Sequence, residues 1–178
     1  MNNLIFEEKK SMDFVAIGRA AVDLNPNEIN MPMEESKTFT KYLGGSPANI
    51  TVAMAALGMK TGFIGKVADD PLGRFVENYL KGKNIDTSNV VVDKSGAKTG
   101  LAFLEVKSPE DCSITMYRDN AVDLKVEVND INEEYIKNAK VLLISGTALA
   151  ASPSREAVFA CLDYARKHNT KIFFDIDY

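Results

Sequence analysis

The sequence predicts an α/β fold: a doubly wound, mostly parallel sheet, incomplete towards its carboxyl end, with a small second β-sheet attached. Two observations carry that prediction. Short apolar runs that end in glycine or polar residues alternate with segments of helical periodicity. Two pairs of strand-like segments, near 28–43 and 99–118, interrupt the alternation. No repeat or low-complexity linker divides the 178 residues, so 1–178 reads as part of one domain.

In chain order, Met1 to Ser11 alternates acidic and basic residues and lacks the apolar core of a signal or anchor. Asp13 to Gly18 is a short buried strand closed by glycine. Arg19 to Asn25 reads as the loop beyond it, placing Asp23 where open α/β sheets gather their ligands. A dinucleotide fingerprint is excluded, because Gly18 is followed by Arg19 and Ala20. Asp23 is either a ligand contact or a satisfied turn aspartate. Glu28 to Met33 and Thr38 to Leu43 read as two strands around the polar turn Glu34 to Lys37.

Gly44-Gly45-Ser46-Pro47-Ala48-Asn49 then feeds a helix marked at both ends. Ser46 is the expected cap, Pro47 sits where its missing N–H costs nothing, and Gly58 suits the exit. Ile50, Ala53, Met54 and Leu57 are the expected inner face. The two glycines let a ligand approach bare amides, and Asn49 adds a donor and an acceptor at the same opening. Thr61 to Lys66 resumes the sheet. Asp70 caps a second helix with Pro71 behind it, a better use of Asp69-Asp70 than a metal site, and Leu72, Phe75, Val76, Tyr79 and Leu80 form the inner stripe.

Val90 to Val92 is a strand, and Thr99 to Val106 with Ser113 to Arg118 make the second pair around Lys107 to Asp111. Arg118 is either a solvated charge or a fork of donors facing a ligand. Ile131 to Ala139 reads as a helix and Val141 to Ile144 as a buried strand. Ser152, followed by Pro153, is the expected cap of the next helix, with Ala157, Val158, Cys161, Leu162 and Ala165 inward. Lys171 to Ile176 closes the pattern as an apolar strand.

Composition narrows the function. With 46% hydrophobic and 26% charged residues, a formal charge of −4 and a pI near 5.1, a nucleic-acid or anionic-membrane partner is disfavoured. Cys112 and Cys161 form no CxxC pattern and read as reduced thiols of a cytoplasmic protein. His168 is the single histidine, so a His-based triad or a His-rich metal site is not expected.

The glycine stretch, continued by Gly65-Lys66-Val67-Ala68-Asp69-Asp70-Pro71-Leu72-Gly73, resembles the first signature of the ribokinase/PfkB family of carbohydrate kinases. One position departs: Ala68 stands where the signature carries glycine. The resemblance implies a ribokinase-like fold whose interrupting strands form a lid, and cytoplasmic phosphoryl transfer from ATP with Mg²⁺ to a sugar hydroxyl. It implies that Asp23, Gly44, Gly45 and Asn49 bind the acceptor, and that no metal ligand need lie in this stretch. Lids of the family pair with one another, so a homodimer is implied.

The aspartate base and the anion hole belong to a Gly-Ala-Gly-Asp-type motif that these residues lack, so the resemblance implies a base beyond Tyr178. The family's Asp-x-Asn-x-Arg element would start at Asp175, with Asp177 replacing asparagine on the nucleotide side. The chain is therefore expected to be the amino-terminal half of a kinase, inactive by itself.

Ala16 to Ala20, Lys41 to Asn49, Met116 to Asp119 and Ser145 to Ala150 are similar to family members whose acceptor is a keto-deoxy sugar acid of inositol catabolism. A carboxylate calls for a cationic fork, for which Arg118 is the first candidate and Arg19 the second. Another sugar kinase of the family, or a sugar-binding module without transferase activity, is the alternative.

Overall fold

A computed structural model describes residues 5–176. The chain runs β1 (Met12–Ile17), β2 (Ala21–Pro26), β3 (Phe39–Gly44), α1 (Ser46–Ala56), β4 (Thr61–Ala68), α2 (Pro71–Gly82) and β5 (Asp86–Asp93). It continues through β6 (Leu101–Ser108), β7 (Asp111–Tyr117), α3 (Glu133–Lys137), β8 (Ala139–Ser145), α4 (Ser154–Lys167) and β9 (Lys171–Asp175).

The larger sheet has the order β5-β4-β1-β8-β9, and every neighbouring pair is parallel. β1 is central, and Phe14, Val15, Ala16 and Ile17 are buried, as a parallel strand covered on both faces requires. The two-residue period divides it. Phe14 and Ala16 join Ala48, Val76 and Leu80 from α1 and α2, whereas Val15 and Ile17 join Ile136, Val158 and Cys161 from α3 and α4. Each large apolar side chain so buried contributes about 1.5–3 kcal/mol. No helix among the described residues is long and apolar enough to cross a membrane.

The second sheet has the order β3-β2-β6-β7, with β2 parallel to β6 and the outer pairs antiparallel. Its register sets Asp23 opposite Tyr42 on one side and Ala102 on the other. Here the sequence reading needs its main correction. Residues 21–26 form the strand, and Glu28 to Met33 does not. Val22 is buried and Leu24 packs against the core, while Asp23 and Asn25 take the other face. Asn30 has φ 64°, Pro32 lacks a donor and Met33–Glu35 is a 3-10 turn, so the later segment cannot extend.

Three helix starts also differ in detail. Gly45 with φ 96° is the residue before α1, and Ser46 is helical and makes no capping bond. Ser152 donates to Glu156 at 2.8 Å and lies outside α4, which Pro153 precedes without a side-chain cap. The helix expected over Ile131 to Ala139 is only Glu133–Lys137, capped by Asn132, because Ala139 already belongs to β8. α1 buries Pro47, Ala48 and Thr51; of the expected stripe Ile50 and Met54 pack against the core, whereas Ala53 is exposed and Leu57 is 75% exposed. Small residues let this helix lie close to the sheet, and the Thr51 hydroxyl donates to the Pro47 carbonyl at 2.7 Å.

Candidate active site

Two glycines shape the turn between β3 and α1. A Cβ on Gly44 would collide with the Asp23 carboxylate, and one on Gly45 with the Arg19 carbonyl. The positive φ of Gly45 would strain any other residue as well. The missing side chains thus let β2 pass directly over the start of α1. Among the described residues no side chain accepts from the amides of that opening turn.

Above the turn lies a cleft of about 350 Å³, at the lower end of the range for small-molecule sites. Arg19, Asp23 and Asn25 line one wall, and Gly45, Ser46 and Asn49 the floor. Ala102, Leu104, Ile114 and Met116 of the second sheet form an apolar roof. The geometry is that of a polar floor under an apolar cover.

The polar groups differ in what they have already spent. Asp23 accepts no hydrogen bond among the described residues; burial raises its carboxyl above the ordinary carboxylate range, and the Arg19 charge opposes that. Asn49 spends its amide hydrogens on the Leu43 and Gly45 carbonyls at 3.3 and 3.2 Å, keeping its oxygen as an acceptor. Among the described residues the only hydrogen bond of Arg19 goes to the Met116 sulfur, at 3.9 Å, and its Nε is buried without a partner.

Arg118 is placed elsewhere. Its Nε donates to Asp123 at 3.1 Å and its Nη2 to the Thr147 carbonyl at 3.0 Å. It does not line the main cleft. It meets Arg19 and Asp23 only around a cavity of about 10 Å³, room for roughly one water. Asp70 is a cap: its Oδ1 accepts from Leu72 and Gly73 at 2.9 and 2.7 Å and from the Thr99 hydroxyl at 3.0 Å. Asp69 makes an exposed pair with Arg74 at 3.7 Å. Among the described residues no three His, Cys, Asp or Glu side chains gather as a metal cage. Asp177 and Tyr178 lie outside the described residues. The nucleotide-side role expected of Asp177 and the base expected beyond Tyr178 therefore fall outside the described structure.

Asn25 and the individual roof side chains were not singled out by sequence reasoning, although the two strands that carry the roof were expected as a lid. The signal for Asn25 was present, since it stands two residues from Asp23 in a strand and therefore shares its face. Asp123, the partner of Arg118, had no signal beyond its charge.

The chain is 67% identical over its full length to a 5-dehydro-2-deoxygluconokinase of Geobacillus thermodenitrificans, of which it covers 53%. It is 61% identical over its full length to another from Bacillus anthracis, covering 54%. It spans about half the length of the curated relatives it matches. Among solved structures, a sugar kinase from Pyrococcus horikoshii in complex with ATP superposes with a TM-score of 0.83 at 32% identity, over 93% of this chain and 53% of that one. The glycine turn, the two-sheet architecture and a match over residues 12–178 to the pfkB family of carbohydrate kinases agree, and the chain belongs to that family.

Proposed function

We propose that these residues form the acceptor-binding part of an ATP-dependent kinase whose acceptor is 5-dehydro-2-deoxygluconate. The observation that carries this reading is an unsatisfied Asp23 carboxylate beside an unpaired Arg19 on one wall of the cleft. A sugar acid needs both: carboxylate and amide oxygens for its hydroxyls, and a cation for its acid group. The names of the relatives supply the particular acid.

Asp23, Asn49 and the Gly44-Gly45 backbone orient the acceptor, and the second sheet closes over it as a lid. The base that takes the acceptor proton and the clamp for the transferring phosphate fall to the part of the relatives not spanned here. Mg²⁺ normally reaches such sites through ATP phosphates and one or two carboxylates, so it would enter with the nucleotide. The exposed edge strand β7 offers a surface through which two lids would pair. Two free cysteines suit a cytoplasmic enzyme.

The test is a coupled ATP-consumption assay on the protein at its full natural length. Turnover should be highest with 5-dehydro-2-deoxygluconate, lower with 2-keto-3-deoxygluconate and lowest with fructose. Preference for the neutral hexose would overturn the reading. The 178 residues alone should bind the acid without consuming ATP.

A further inference from the structure

The two arginines near the cleft are in opposite states. Arg118 has its Nε and Nη2 committed to Asp123, whose side chain is 2% exposed, and to the Thr147 carbonyl. Drawing it towards a ligand would leave a buried carboxylate without its counter-charge, which is strongly unfavourable. Arg19 makes no ion pair among the described residues, and its Nε is buried and unpartnered. A carboxylate is held side-on by the Nε and one Nη of a guanidinium, and in Arg19 those donors are uncommitted. Arg19 also lines the cleft, whereas Arg118 touches only the small cavity behind it.

Resting on the acceptor-site reading above, we propose that Arg19 reads the carboxylate of the acceptor, and that Arg118, anchored on Asp123, is a positioning residue. Arg118 directly follows the strand that carries Met116 and Ile114, so its anchor fixes where the roof meets the core. Asp23, beside Arg19, repels the acid group and takes hydroxyls, which orients the acceptor in one direction across the cleft.

The test is calorimetric binding of D-gluconate and its methyl ester to the protein at its full natural length, wild type and variants. Wild type should favour the acid. Arg19→Gln should cut the acid-to-ester affinity ratio by about 10–100-fold, the loss of one charge-assisted pair, and Arg19→Lys should restore part of it. Arg118→Lys should weaken both ligands alike, leaving the ratio within about twofold. An unchanged ratio in Arg19→Gln, or a collapse confined to Arg118→Lys, overturns the proposal, as does a wild type that binds acid and ester equally. Failure to phosphorylate 5-dehydro-2-deoxygluconate would instead refute the function proposed above, because these binding ratios require no turnover.

Discussion

Two helices begin at the same end of the central sheet, each with a proline in its first turn, and they are finished in opposite ways. At α2 the chain supplies its own anion: Asp70 caps Leu72 and Gly73 and also holds Thr99 at the foot of the lid. At α1 Gly45 brings no side chain, and Asp23, beside Gly44, accepts no hydrogen bond among the described residues. A terminus satisfied by its own chain is architecture. One left open beneath a concave cover, with Asp23 and Arg19 at its edge, is where the proposed acceptor would sit.

The largest expected effect comes from closing the open terminus. Gly45→Ala forces a side chain into a φ of 96° and against the Arg19 carbonyl, so it should cost about 1–3 kcal/mol of stability. It should also abolish acceptor binding. Urea denaturation and calorimetry on the same sample check both, and retained affinity would show that the turn does not approach the ligand.

Opening the closed terminus should do the reverse. Asp70→Ala should lose about 0.5–2 kcal/mol while acceptor affinity stays near wild type. Burial alone would raise the Asp70 carboxyl, but bonds from Gly73, Thr99 and Leu72 bring it below its ordinary value. A lowered folded pKa gives stability that is present above the unfolded pKa, near 4, and is lost as pH falls through the folded value. The wild-type advantage in urea should therefore shrink in acid.

Asp23 should show the smaller effect and the opposite sign. Burial raises its folded pKa, so ionisation at neutral pH costs stability, and that cost disappears below the unfolded pKa. Asp23→Asn should melt slightly higher than wild type at pH 7 and the same in acid, yet bind acceptor poorly. A variant less stable at neutral pH would mark Asp23 as a structural aspartate.

These two corners also show what the sequence could convey. The cap at Asp70 was legible because aspartate, proline and an apolar stripe are local signals. The glycine turn was legible as a turn feeding a helix, but Ser46 was mistaken for a cap, because the left-handed turn at Gly45 starts the helix one residue earlier than a serine cap would. β2 was hidden by its polarity: Asp23 and Asn25 face the cleft, so a strand of the second sheet looked polar enough to be a loop. The commitment of Arg118 to Asp123 depends on how the 3-10 turn Val122–Lys125 folds back, which no periodicity encodes.

The most direct measurement is an ¹⁵N-detected titration of the protein at its full natural length with 5-dehydro-2-deoxygluconate. The expected result is shifts at Arg19, Asp23, Gly45, Ser46 and Asn49, with the amides of Leu72 and Gly73 at the closed helix unmoved. Shifts centred on the Asp70 corner, or none at the Gly45 turn on saturation, would contradict the assignment of the open terminus as the acceptor site.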